Sequence, residues 1–159
     1  MREKLYFCIC LDDEHYTEPS VCVVRTEKEA EKWCRSEIED NLMPSESENE
    51  ITVEQREDGI WMGGQNAEHF IVAKAIPLDC DPDTYICLFY HAYVGVDFFV
   101  IKMGSLAECT ECMKRCVRKC AKKPAKISVY SPVAMEVDTG IEWEEYRIYL
   151  LSELMESEG

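Results

Sequence analysis

Positive charge is scarce in this chain, and so are the sequence signatures of catalysis. Against 32 aspartates and glutamates stand 17 lysines and arginines, a formal net charge of −15. A duplex-binding protein needs a basic footprint. An excess of carboxylates repels phosphate, so direct nucleic-acid binding is not among the expected functions. No apolar stretch approaches the ~20 residues that cross a bilayer as a helix, so no membrane association is expected. The chain has no Walker loop, no G-x-G-x-x-G, no G-x-S-x-G and no H-E-x-x-H. Its three histidines, His15, His69 and His91, fall in separate segments without a neighbour that would mark a general base. Neither enzymatic activity nor a cofactor is expected.

The opening MREKLYFCICLDDEH returns to acid too soon to hold the apolar segment of an export signal. Ten cysteines would read as a disulfide framework in a short secreted chain. Without an export signal they are expected as reduced thiols, packing as small apolar side chains in a cytoplasmic protein. Hydrophobic residues at 47% and aromatics at 10% are globular values and exclude global disorder.

What the chain does have is an internal echo. Tyr6-Phe7-Cys8 recurs as Tyr85-Ile86-Cys87, an offset of 79. Each run leads into a second β-rich run, SVCVVR (20–25) or VDFFVIK (96–102). Two capping-box signatures follow, Thr26-x-x-Glu29 and Ser105-x-x-Glu108, again 79 apart. Each helix is followed by a strand, ITVEQ (51–55) or KISVYS (126–131), and a glycine turn, Asp58-Gly59-Ile60 or Thr139-Gly140-Ile141. A further β-like run closes each half, HFIVAKAIPL (69–78) or EYRIYLLSEL (145–154). The expected fold is α+β: a tandem duplication of a β-β-α-β-β(-β) unit, mainly antiparallel, with one helix per unit. The units are residues 1–79 and 80–159, joined near PLDCDPD (77–83), and are expected to pack as a pseudo-dimer with a shared sheet or groove.

The dodecapeptide CTECMKRCVRKC (109–120) raises the question of a metal site. On a helix over 105–122, Cys109, Cys112, Cys116 and Cys120 share one face with Leu106, Met113 and Val117. Cys109 and Cys120 are then about 16.5 Å apart along the axis. Zinc needs each sulfur at about 2.3 Å, so one closed site from all four is impossible. The cysteines are therefore expected to pack, with no bound metal; Cys112, at the rim of the stripe, is the candidate reactive thiol. Lys114, Arg115, Arg118, Lys119, Lys122, Lys123 and Lys126 cover the other side and are expected as a solvated face paired with acids such as Glu108 and Glu111. No aromatic side chains interleave with them to stack bases.

The first half is the more acidic. Residues 1–77 hold 18 acids and 8 bases. The helix over 27–42 buries Ala30, Trp33, Cys34, Ile38 and Leu42 beneath an outer face of mixed sign. Beyond it run Glu46, Glu48, Glu50, Glu54, Glu57 and Asp58, opposed only by Arg56, while Asp12, Asp13 and Glu14 crowd the first hairpin. The hairpin acids lack the spaced ligands and glycine of a calcium loop. These nine carboxylates are the candidate partner-binding residues. The expected function is an acidic inhibitor that binds a cationic, nucleic-acid-handling protein, of the mobile-element anti-defence or nuclease-immunity type. The alternative is a small-molecule-binding or regulatory domain with a pocket between the repeats, lined by Trp61, Trp143, Tyr85 and Tyr90.

Overall fold

The architecture comes from a computed structural model that describes residues 3–12, 19–42, 50–65, 70–92, 96–120, 126–138 and 143–155. Glu46, Glu48, Asp13, Glu14, His15, His69, Lys122 and Lys123 lie outside the described residues. The chain divides into two compact units, one running to Pro82 and taking in the chain again from Leu154, the other spanning Asp83–Glu153. Both are α+β.

In the first unit the elements run β1 (Glu3–Asp12), β2 (Ser20–Val24), α1 (Glu27–Leu42), β3 (Glu50–Arg56), β4 (Gly59–Gln65) and β5 (Phe70–Cys80). The five strands form one antiparallel sheet in the order β2-β1-β5-β4-β3. In the second come β6 (Tyr85–Ala92), β7 (Asp97–Gly104), α2 (Leu106–Cys120), β8 (Lys126–Ser131), β9 (Ala134–Asp138), β10 (Trp143–Leu150) and a short α3 (Leu151–Met155). Its sheet, also antiparallel, runs β7-β6-β10-β9-β8. Counted from its own first strand, each sheet therefore has the order 2-1-5-4-3. Each unit has its own sheet; none is shared among the described residues.

Helix entry follows the caps. The Glu29 amide donates to Thr26 Oγ1 at 3.1 Å, and the Ala30 amide to the Thr26 carbonyl at 3.0 Å. At α2 the box is reciprocal: the Glu108 amide donates to Ser105 Oγ at 3.1 Å, and the Ser105 amide to Glu108 Oε1 at 3.2 Å. Those bonds hold the Glu108 carboxyl below its ordinary range.

Packing follows from spacing. Ala30, Cys34, Ile38 and Leu42, four residues apart, are buried on α1 and lie against Tyr6, Cys8, Cys10, Cys22, Val24, Ile60, Met62, Ile71, Ala73 and Ala75. Cys8 and Cys10 do share a face, as the C-x-C spacing on a strand requires. Gly64 makes that approach possible, since a Cβ there would stand 2.1 Å from Ile38 Cγ2. Gly59, at φ 141°, takes the β3–β4 turn where a Cβ would meet the Ala75 carbonyl oxygen at 2.0 Å. The opposite face of the first sheet is no less buried: Leu5, Phe7 and Ile9 are as inaccessible as their neighbours.

In the second unit Cys109, Met113 and Val117 are buried against Cys87, Val137, Tyr146 and Ile148. The buried stripe of α2 is narrower than its sequence suggests. Cys112 and Cys116 are half-buried, and Leu106, the first residue of the helix, is 42% exposed.

Three sequence expectations need correction. The β8–β9 turn is Pro132-Val133, so the counterpart of the Asp58-Gly59 turn is not Thr139-Gly140-Ile141, which lies outside the described residues. Ala134–Asp138, unassigned from sequence, is a strand. The closing run 145–154 is not one strand: Leu151, Leu154 and Met155 recur at three and four residues, a helical period, and form α3.

Candidate partner-binding surface

The acids singled out from the sequence do not form a single free surface. Asp12 ends β1 opposite Ile71. Glu50 and Glu54 fall on one side of β3 with Thr52 and Arg56, as alternation dictates. Both are engaged there: Gln65 Nε2 donates to Glu50 Oε2 at 3.4 Å, and Arg56 donates to Glu54 Oε2 from Nη2 at 3.1 Å and from Nε at 3.3 Å. The Arg56 guanidinium also lies 4.8 Å from the centroid of Trp61, across the hairpin. Asp58, in the turn, receives Lys74 Nζ at 2.5 Å, and the Lys74 side chain is 0% exposed. Two of the candidate carboxylates, Glu54 and Asp58, therefore neutralise cations of their own sheet. Glu57, in the same turn, is exposed.

Sequence reasoning passed over α1, whose outer face reads as mixed in sign. The structure separates its charges by position. Glu27 and Glu29 sit in the first turn, where the helix dipole favours anions. Glu37, Glu39 and Asp40 gather near the other end, and the last turn carries no basic residue. That is the arrangement the dipole opposes. Partial burial, and then Asp40 one turn on, raise the Glu37 carboxyl above its ordinary value. Arg35 is directed away from this end, towards Glu31 at 3.9 Å. The signal that could have found the cluster is the run Glu37-x-Glu39-Asp40 with no cation after it.

A groove of about 660 Å³ opens between α1 and the edge strand β2. Val21, Cys22 and Val24 line one wall, and Glu29, Lys32, Trp33, Ser36 and Glu37 the other. Trp33, expected in the core, is only partly buried because it stands beside the Ala30–Cys34–Ile38 stripe rather than on it.

The second unit presents a different surface. Lys114, Arg115, Arg118 and Lys119 of α2 are exposed, with Arg118 Nη2 3.3 Å from Glu111 and Lys102 3.9 Å from Glu108. Of the pairs read from the sequence Arg118–Glu111 is present, whereas Glu108 is met by Lys102 of β7 rather than by a cation of the helix. Beneath it, burial raises the Cys87 thiol well above the usual thiol range, and Cys112, Cys109 and Cys116 add to the effect. Cys109 and Cys116 are raised by burial too. Thiols held protonated are poor nucleophiles and poor metal ligands. No group of three or more histidine, cysteine or acidic side chains positioned for a metal ion occurs among the described residues. His91 lies among aromatic rings, 6.2 Å from Phe99 and 6.1 Å from Phe89.

Tyr85 and Tyr90 stand on opposite faces of β6, so they do not converge on one pocket. Tyr85 packs with the core under α2, whereas the Tyr90 hydroxyl donates to Glu145, which also receives Arg147 Nε at 2.5 Å. Burial and the Glu145 carboxylate push the Tyr90 phenol above its ordinary value. This buried trio is a fully satisfied polar lock within the second sheet. Trp61 flanks β3 as described, and the Trp143 side chain lies outside the described residues. No helix is long and apolar enough to cross a membrane among the described residues. No family model matches the chain, and neither a curated protein nor a solved structure is found to be similar to it.

Proposed function

We propose that the protein is an acidic inhibitor that acts by binding a cationic, nucleic-acid-handling protein, with its first unit as the contacting half. The observation that carries this reading is the uncompensated acidic end of α1, Glu37, Glu39 and Asp40. Like charges at the wrong end of a helix dipole cost stability in the free protein. A basic partner removes that cost on binding and is drawn in by the net charge of −15. Cysteines packed in the apolar core, as Cys8, Cys34, Cys87 and Cys109 are, support a reducing, cytoplasmic setting in which thiols serve as small apolar side chains. The common strand order of the two sheets supports an origin by tandem duplication of one ββαβββ unit. The small-molecule reading is favoured only by the volume of the β2–α1 groove, which lies within the ligand-pocket range.

The test is affinity capture from source-cell lysate at ~0.1 M and ~1 M salt, where the screening length falls from about 10 Å to about 3 Å. A triple variant, Glu37→Lys, Glu39→Lys and Asp40→Lys, is run beside the wild type. The expected result is a basic, nucleic-acid-binding protein captured at low salt, lost at high salt and absent from the variant. A partner retained equally by the variant overturns the assignment.

A further inference from the structure

The groove between β2 and α1 carries a chemical pattern as well as a volume. Cys22 and Val24 are 5% and 4% exposed and form its base, so a ligand there meets mainly the side chains of α1. Glu29, Trp33 and Glu37 all line it and stand four residues apart, hence in one row along the helix. The two glutamates are about 12 Å apart along the axis, with the indole midway between them. Among the described residues neither carboxylate has an ion-pair partner, and no ring or cation stacks on Trp33. Lys32 is the one cation among the described residues that line the groove, so its two carboxylates leave a net negative charge.

The order negative, aromatic, negative is complementary to a chain that is cationic at both ends and cationic again in the middle. A carboxylate drawn partly out of water, as Glu37 is, gains more from a cation than one in bulk solvent. The face of an indole attracts an ammonium that passes over it. Length selects further. Three bonds of an extended chain advance about 3.3–3.6 Å, so the nine bonds between the terminal nitrogens of spermidine span about 10–11 Å. That is close to the separation of Glu29 and Glu37. The groove, at about 660 Å³, is of the size that holds a small molecule.

We propose that the β2–α1 groove is a binding site for a linear aliphatic polyamine, whose terminal ammonium groups pair with Glu29 and Glu37 and whose central ammonium lies against the Trp33 ring. The proposal rests on the groove as a ligand site and not on the inhibitor reading, with which it shares Glu37 alone.

The experiment is calorimetric titration of the full chain with spermidine at ~0.1 M salt. A chain of net charge −15 attracts polyamines at large, so two charge-matched variants are compared. Glu29→Gln with Glu37→Gln removes two charges inside the groove, and Glu39→Gln with Asp40→Gln removes two charges outside it. The expected result is one site per chain, weakened about tenfold by the inner pair and less than about twofold by the outer pair. Trp33→Leu should weaken it about fivefold. Lys32→Gln, a change at an exposed position, should tighten binding about threefold by removing the opposing cation. 1,4-Diaminobutane is too short to reach both glutamates and should bind about tenfold more weakly than spermidine. Equal losses from the two charge pairs, several equivalent sites, or equal binding of the two amines reports attraction to net charge alone and overturns the proposal. No spermidine binding, with a basic protein still captured from cells, overturns the groove assignment and leaves the inhibitor reading standing. Binding as described with no basic protein captured supports the groove assignment and overturns the inhibitor reading.

Discussion

Replacing Asp58 by asparagine separates its structural role from its sequence-based assignment to the binding surface. The Lys74 side chain is wholly buried and its ammonium is 2.5 Å from an Asp58 oxygen, while the Asp58 side chain is 44% exposed. Removing one partner of a fully buried pair costs about 3–5 kcal/mol, because the other charge is stranded. Asp58 is partly in water, so screening lowers the figure to about 2 kcal/mol. Asparagine preserves the turn before Gly59, which confines the change to charge. For a chain of this length the expected fall in melting temperature is about 6 °C. Lys74→Met should be close to neutral, since it leaves Asp58 facing solvent and fills the site with apolar atoms. In the double variant, Asp58→Asn on the Lys74→Met background should cost almost nothing. Urea and thermal unfolding of the four proteins measure the cycle. Equal losses from D58N in both backgrounds would refute the claim that Lys74 is what Asp58 serves. Partner capture should be unaffected by D58N.

Gly64→Ala places a methyl 2.1 Å from Ile38 Cγ2 and must lift α1 from the sheet, so a loss of about 1–3 kcal/mol is expected in urea unfolding. Glu37→Gln should raise stability at pH 7. A carboxyl raised in the folded state is a penalty present while it is ionised and relieved as pH falls through its folded value, so the gain over wild type should vanish in acid. Glu108 is the opposite case: its lowered carboxyl contributes stability above its unfolded value that is lost as pH falls through the folded one. Glu108→Gln should remove that acid-side dependence in thermal scans between pH 3 and pH 7, and Ser105→Ala, which keeps the donating backbone amide, should only lessen it. Brief alkylation of the native protein followed by mass spectrometry should label Cys112 and Cys116 before Cys8, Cys34, Cys87 and Cys109, all of which are buried.

Local chemistry made the helices legible. Thr26 and Ser105 mark both starts, and the four-residue spacing of Ala30, Cys34, Ile38 and Leu42 names the buried face of α1 without reference to the rest of the chain. The first strand was legible as an unbroken apolar run, LYFCICL, the form taken by a strand buried on both faces. β4 was harder, because GIWMGGQ is poor in strand formers: Gly64 answers to the nearness of Ile38, and Gly59 to the nearness of Ala75. Those demands exist only once α1 and β5 are in place. Likewise the Thr139-Gly140 pair resembles the Asp58-Gly59 turn in composition alone, whereas Pro132-Val133 takes the equivalent turn. The ion pairs of Glu54 and Asp58 were unequally legible for the same reason. Arg56 is two residues from Glu54, but Lys74 lies 16 residues from Asp58, inside a run that reads as plain strand. The β2–α1 groove depends on strand order, and the order β2-β1-β5-β4-β3 cannot be read from any local stretch.

The most direct test of an acidic inhibitor is competition. A fluorescently labelled nucleic acid is bound to the basic protein recovered by capture, and its anisotropy is followed as this protein is added. The account predicts stoichiometric displacement that weakens as salt rises and fails with the Glu37→Lys, Glu39→Lys, Asp40→Lys variant. A ternary complex, with the nucleic acid still bound at saturating protein, would contradict it.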